Sequence, residues 1–294
     1  MPQEQTDNWH EYLMEAGGLG VFMISACIFT TVLEHPGSPV HQWIGSAFVR
    51  RTIIGAGMGL TAIGLIYSPW GKQSGAHLNP SVTVTFLRLG KLKRTDAFFY
   101  VLAQFIGAEA GVMVSSFLLR PWISHSAVNY AVTVPGTAGT AIAFAAELVI
   151  SFLLMTVILF ASNSKVVPAF TGVMAGILVA TYISLESPLS GMSMNPARTL
   201  GSAMPSHIWK GWWIYFTAPP LGMLAAGELY LKVRGPRGVL CAKLHHRNDK
   251  RCIFHCGFRD GKGSVANERT VSRPISMRVT FLTGMHDSAN RRNP

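Results

Sequence analysis

Charged side chains are scarce in this chain: Asp, Glu, Lys and Arg make up 13% of 294 residues, whereas 49% are hydrophobic. Soluble domains carry roughly 25% charged residues, so an ordinary water-soluble enzyme or scaffold is excluded at the outset. Cysteine is rarer still, with four in the chain. Cys27 lies in an apolar run and Cys241, Cys252 and Cys256 lie near the C-terminal end, which is not the pattern of a secreted disulfide framework. The first residues, MPQEQTDNWHEYLMEAGG, lack the basic n-region of a cleavable signal peptide, so the first apolar run is expected to stay as a membrane segment. Basic residues concentrate toward the end. Residues 234–294 hold 13 Lys and Arg against 4 Asp and Glu, a net of +9, while the first 233 hold the remaining 12 and 10, a net of +2. That asymmetry suits an anionic cytoplasmic lipid surface better than nucleic acid. A solvated tail is the plain alternative.

What the chain does have is apolar length. About 20 apolar residues cross a hydrocarbon core, and six stretches qualify: roughly 11–33, 46–67, 97–119, 139–162, 167–186 and 210–232. Gly, Ala, Ser and Thr recur in all six, which permits close helix packing. Two further apolar stretches are too short to span. One follows Ser74-Gly75-Ala76-His77-Leu78-Asn79-Pro80-Ser81 and the other follows Ser190-Gly191-Met192-Ser193-Met194-Asn195-Pro196-Ala197-Arg198. Asn at the cap and Pro in the first turn mark helix starts, so both read as re-entrant half-helices lining a cavity.

The two half-helices fall at equivalent places. Gly107 lies 28 residues after Asn79 and Gly222 lies 27 after Asn195, and Glu15 in the first segment corresponds to Glu147 in the fourth. Three segments followed by three more make an internal duplication, with halves at about 9–120 and 139–233. An odd number of spans per half inverts the second half in the membrane, and paired interrupted segments point to a midplane site. The fold class is therefore an all-α integral membrane protein of six transmembrane helices plus two re-entrant half-helices in an inverted repeat. Lys and Arg counts put both termini in the cytoplasm. Residues 1–233 form the membrane body and 234–294 a basic cytoplasmic tail, read as separable from transport and, from about Gly257 onward, as disordered by composition.

Half-helices entering from opposite faces point two positive dipole ends at one spot. Asn79 and Asn195 amides can donate to a passing oxygen there, and Pro80 and Pro196 lack N–H groups that would be unpaired anyway. No nucleophile, general base or phosphate cradle accompanies them, so the chain is not read as an enzyme. Glu15 and Glu147 are read as acceptors for re-entrant-loop backbone N–H groups, and His77 as bonding within its own loop.

HLNPSVTVTF and GMSMNPARTLGSA resemble the paired Asn-Pro-Ala signatures of the major intrinsic protein (aquaporin) family. The similarity covers about residues 9–233, with Ala103 to Ala108 and Ala218 to Gly222 as further matches. Ser81 stands where the family usually has Ala. The resemblance implies a homotetramer with one pore per subunit, a constriction at Asn79, Pro80, Ser81, Asn195, Pro196 and Ala197, and a selectivity filter of Arg198, Met192, Ile183 and either Met58 or Gly59. Strict water channels of the family usually have His where Ile183 stands and Phe in the second segment. Thr199, by contrast, stands where glycerol-type channels usually have Asp, and Tyr215-Phe216 resembles the aromatic pair of water-type channels. The implied function is passive passage of water with small uncharged solutes, the alternative being a wider facilitator for glycerol, urea, ammonia or a metalloid hydroxide. An ion-coupled transporter would also use broken helices, but would need a titratable midplane group.

The tail places three cysteines and three histidines within 16 residues. Cys241, His245, Cys252 and Cys256 make a candidate Cys₃His zinc site, against the alternative of an unstructured tail with reduced thiols and no cofactor.

Overall fold

Inside a bilayer each backbone N–H and C=O has to find its partner within the protein, and an apolar run meets that demand by becoming a helix. The computed structural model describes residues 8–258. In chain order the helices are α1 (Trp9–Glu34), α2 (Pro39–Trp43), α3 (Ala47–Tyr67), α4 (Pro69–Ser74), α5 (Pro80–Arg88), α6 (Arg94–Leu118), α7 (Thr140–Ser162), α8 (Thr171–Leu185), α9 (Ser187–Ser190), α10 (Pro196–Ser206) and α11 (Trp212–Arg234). There is no strand among the described residues. Five helical segments are long and apolar enough to cross a membrane: 9–34, 47–67, 94–118, 140–162 and 168–185. The sixth expected span is α11, 23 residues long with Pro219 and Pro220 inside it. Large apolar side chains stay exposed on the outer faces, among them Leu60, Phe98, Ile106 and Phe117. Such surface is compatible with lipid and not with water.

The duplication is visible in space. α1 packs along α6 in the first half as α7 packs along α11 in the second, and α3 pairs with α8 across the halves. At the crossing of α1 and α6, a side chain on Gly107 would collide with the Ala16 carbonyl; on Gly222 it would collide with the Leu148 carbonyl of α7. Both glycines thus sit where two backbones touch, one residue after Glu15 and Glu147 on the partner helix. The short helices repeat as well. α4 and α9 each precede a left-handed glycine, Gly75 (φ +97°) and Gly191 (φ +79°), at the head of a re-entrant loop.

Residues 8–258 belong to one compact unit, which includes the start of the tail. The disorder expected from about Gly257 onward lies, past Phe258, outside the described residues. From Gly235 the chain turns back across the face that carries Asn8. Leu240 N–H donates to Asn163 Oδ1 (2.6 Å), His255 N–H to the Lys91 carbonyl (3.0 Å), and Arg251 to Asn8 Oδ1 (2.8 Å).

Candidate functional site

A helix that starts at membrane depth has unpaired N–H groups at its first turn, and a capping side chain has to take them up. Asn79 Oδ1 accepts from the Ser81 N–H at 2.8 Å, and Asn195 Oδ1 accepts from the Ala197 and Arg198 N–H groups at 3.0 and 3.3 Å. Each amide nitrogen then crosses to the other loop. Asn79 Nδ2 donates to the Met194 carbonyl (2.7 Å) and Asn195 Nδ2 to the Leu78 carbonyl (2.8 Å). Pro80 and Pro196 occupy the first helical positions, where a missing N–H leaves nothing unpaired. The N-termini of α5 and α10 are thereby brought together, with their positive dipole ends converging. An amide has two N–H bonds, so one on each Asn is not committed to the opposite loop, and both Asn residues line the central cavity.

The loops ahead of the caps are held by matching cradles. Fully buried Glu15 accepts from Ser74 Oγ (2.7 Å), the His77 and Leu78 N–H groups (3.0 and 2.6 Å) and Gln104 Nε2 (2.8 Å). Glu147, equally buried, accepts from Ser190 Oγ (2.9 Å) and the Ser193 and Met194 N–H groups (2.6 and 2.7 Å). Tyr100 and Tyr215 donate their hydroxyls to the carbonyls of Ser74 and Ser190. The N–H and C=O of a trans peptide point in opposite directions. Bonding these N–H groups to carboxylates therefore turns the carbonyls of Ala76, His77, Met192 and Ser193 away from Glu15 and Glu147. Those four residues line the cavity, so the path past the two caps carries acceptors as well as amide donors. Ser74, Ser190 and Tyr100 were not given a role in the sequence, and Tyr215 was noted there as one of an aromatic pair and not as a loop anchor. Their signal was the recurrence of Ser-Gly five and four residues ahead of each Asn-Pro, and of Tyr at 21 and 20 residues past each Asn.

The cavity has a volume of about 450 Å³, and Arg198, Met192, Ile183 and Met58 all line it. Of the two second-segment candidates, Met58 faces the cavity, whereas a Cβ on Gly59 would fall 2.5 Å from the Gly176 carbonyl of α8. Arg198 Nη1 donates to Thr133 Oγ1 at 3.0 Å, and Thr133 bonds Thr199, which bonds Ser193. Thr133 belongs to the connection between α6 and α7, and Ala127, Val128, Ala131 and Val132 of the same connection line the cavity. Nothing in that segment forms a motif, so sequence reasoning missed it. Ala197 is buried in a cluster with Leu19 and Met23. Ser81 is 1% exposed, and its hydroxyl has no hydrogen-bond partner among the described residues.

The tail reaches the same cavity. Leu244 lines it, and its N–H donates to the Gly75 carbonyl at 3.1 Å. His77 Nε2 lies 3.0 Å from the Ala242 carbonyl. A carbonyl only accepts, so Nε2 carries the proton there and Nδ1 receives the Thr83 hydroxyl at 3.1 Å. Beside this contact the donor atoms of Cys241, His246, Cys252 and Cys256 lie within 4.8 Å of one another. The expected histidine was His245. Its ring instead packs edge-on against Tyr67, while His246 turns inward, stacks on Phe258 and comes within 3.6 Å of Cys256 Sγ. Hydrogen bonds from Cys241 and Cys252, with one from His246, hold the Cys256 thiol well below its ordinary range. All four cysteines are free thiols.

Comparison with known proteins bears on this arrangement. A family model described as Major intrinsic protein matches residues 3–230. The chain is 37% identical over 177 residues to putative aquaporin NIP4-1 of Arabidopsis thaliana, covering 60% of each protein. It is 33% identical over 228 residues to aquaporin NIP2-3 of Zea mays, covering 76% of this chain and 73% of that one. The chain thus spans about 60% of the length of the first of these relatives. The aquaglyceroporin from Plasmodium falciparum shares the fold, with a TM-score of 0.66 at 24% identity over 79% of this chain and 99% of that chain. With the family pattern matched across both half-helices and the helices around them, this chain is a multi-pass membrane protein that belongs to the major intrinsic protein family.

Proposed function

We propose that the chain is a passive transmembrane channel for water that also admits small neutral solutes. The observation that carries this reading is the crossed pair of bonds, Asn79 to Met194 and Asn195 to Leu78, at the meeting point of two half-helices on one cavity. A neutral molecule can exchange hydrogen bonds with the uncommitted amide N–H groups and the loop carbonyls as it passes. A cation meets two dipole ends and the Arg198 guanidinium. The names of the plant relatives and of the solved structure support the same reading.

The filter is taken to be Met58, Ile183, Met192 and Arg198. Three apolar walls and one fork of donors suit a solute with an apolar and a polar edge, which favours a facilitator admitting glycerol, urea or ammonia beside water. Cytoplasmic termini, at the plasma or inner membrane, are the reading that Lys72, Arg88, Lys91, Lys93, Arg94 and Lys165 support, since basic residues favour the cytoplasmic side. The exposed apolar flanks suit a homotetramer in lipid. The tail cluster is read as a structural zinc site of Cys241, His246, Cys252 and Cys256.

Light-scattering of proteoliposomes in a panel of osmolytes tests the reading. Water flux well above that of empty liposomes is expected, together with entry of at least one of urea, glycerol and ammonia. Saturable flux driven by a proton gradient would replace the channel by a coupled transporter. Water flux with every larger osmolyte shut out would mean that Met58 and Met192 fill the filter.

A further inference from the structure

We infer that residues 239–258 form a zinc-folded plug seated in the mouth of the pore on the side of the termini, and that withdrawing the metal opens the pore. This rests on the channel and zinc readings proposed above and adds what the tail does to the pore.

The four donors fit the metal. A tetrahedral ion with bonds of about 2.3 Å to sulfur and ~2.0–2.1 Å to nitrogen separates two sulfurs by about 3.8 Å and sulfur from nitrogen by about 3.6 Å. Cys241 and Cys252 sulfurs stand 3.6 Å apart, and Cys256 Sγ stands 3.6 Å from His246 Nε2. Thiolate-rich donor sets select soft or borderline ions over calcium or magnesium. Zinc on three thiolates and one imidazole carries a net charge of −1. Lys243, 1% exposed, supplies the opposite charge: its Nζ donates to the Lys250 and Arg251 carbonyls and meets no carboxylate among the described residues. A buried cation requires a counter-charge; the cysteines of the metal site act on Lys243 more strongly than Glu11, the carboxylate that also acts on it.

The segment depends on such a staple. Among the described residues, 239–258 contain neither helix nor strand, yet Val239, Cys241, Ala242, Leu244 and Phe254 are buried. Ordering an irregular stretch costs backbone entropy that few internal hydrogen bonds offset, and metal binding supplies such folding energy in small Cys/His units.

The plug is fitted to this mouth and not to the opposite one. In the second loop the residue equivalent to His77 is Ser193, whose hydroxyl is satisfied by Thr199 and the Asn195 carbonyl within its own loop. His77 makes the matching bond to Thr83 through Nδ1, and its longer ring carries Nε2 out of the loop to the Ala242 carbonyl of the tail. Phe254 stacks on the same ring at 5.4 Å and meets Tyr100 edge-on. Leu244, two residues from Ala242, stands in the cavity itself. The repeat thus departs from its own symmetry at His77, a residue that grips the tail.

The test uses full-length protein purified under reducing conditions without chelator and reconstituted in liposomes. Metal analysis is expected to give one zinc per chain, and cobalt exchanged into the site should show a thiolate charge-transfer band. A membrane-permeant chelator should raise water permeability several-fold, and added zinc should restore the low value. The double variant C252S/C256S should lack zinc, conduct at the raised level and ignore the chelator; Leu244→Ala should keep its zinc and conduct faster than the wild type. Zinc present with permeability unmoved or lowered by chelation overturns the plug and leaves the metal site standing. Wild-type protein without zinc or another thiophilic ion overturns the metal site and the plug together. Absence of water flux from every form, including a chain ended at Arg234, sinks the channel reading itself.

Discussion

Replacing Glu147 with leucine removes the acceptor that two buried backbone N–H groups share, those of Ser193 and Met194, at 2.6 and 2.7 Å. Leucine is close in size, so the change is chemical more than steric. Ser190 loses its partner too, but its hydroxyl can rotate and still accepts from the Met192 N–H. Each buried N–H left without an acceptor costs about 1–3 kcal/mol, so the two together cost ~2–6 kcal/mol. That loss falls on the loop that presents Asn195, so it should appear both as a lower melting temperature of the detergent-solubilised protein and as reduced water flux in liposomes. Glu147→Gln keeps one carbonyl oxygen but turns an NH₂ toward an N–H, and should fall between leucine and wild type. Glu15→Leu should behave alike, because His77 and Leu78 depend on it in the same way. A Glu147→Leu protein that melts and conducts as the wild type does would show that the carboxylate does not hold the loop.

Asn195→Leu loses the cap on α10 and the bond to Leu78 at once, and should abolish flux in protein whose membrane insertion is verified by surface labelling; normal flux would rule out the meeting point as the constriction. Arg198→Val should admit a slow leak of protons or small cations, read with a pH-sensitive dye inside liposomes, because the two half-helix dipoles remain; unchanged exclusion would place Arg198 outside the barrier. Ser81→Ala removes a buried hydroxyl that has no partner among the described residues, so neither melting temperature nor permeability should fall, and a clear loss of either would reveal a bond that Ser81 makes during conduction.

Legibility in the sequence followed the type of signal. Helices declare themselves by apolar length, and half-helices by Asn-Pro after a glycine loop, so α1, α3, α5, α6, α7, α8, α10 and α11 could all be placed from residues alone. Glu15 and Glu147 stood out because charge is expensive in an apolar run. Thr133 did not, because a threonine in an unpatterned connection becomes an arginine partner only when that connection folds back over the cavity. The choice between Met58 and Gly59 turns on a rotation of one residue about a helix axis, about 100°, and no composition argument resolves that. His245 and His246 pose the same problem: neighbours in sequence, they face opposite ways on an irregular chain, and only packing against Tyr67 and Phe258 separates them.

The crossed bonds between the loops also bear on how such a chain is made. Met194 is 115 residues downstream of Asn79, and Asn195 is 117 downstream of Leu78. Domains fold from the N-terminal end as synthesis proceeds at about 5–20 residues per second, so the first re-entrant segment enters the membrane several seconds before its counterpart exists. During that interval the Asn79 amide and the Leu78 carbonyl lack their final partners in a medium that offers no water to replace them. The early half must therefore wait with its open side unsealed until the late half arrives. Two ancestral copies have in this way become mutually obligate: a lesion in either asparagine leaves an orphaned carbonyl in the other copy.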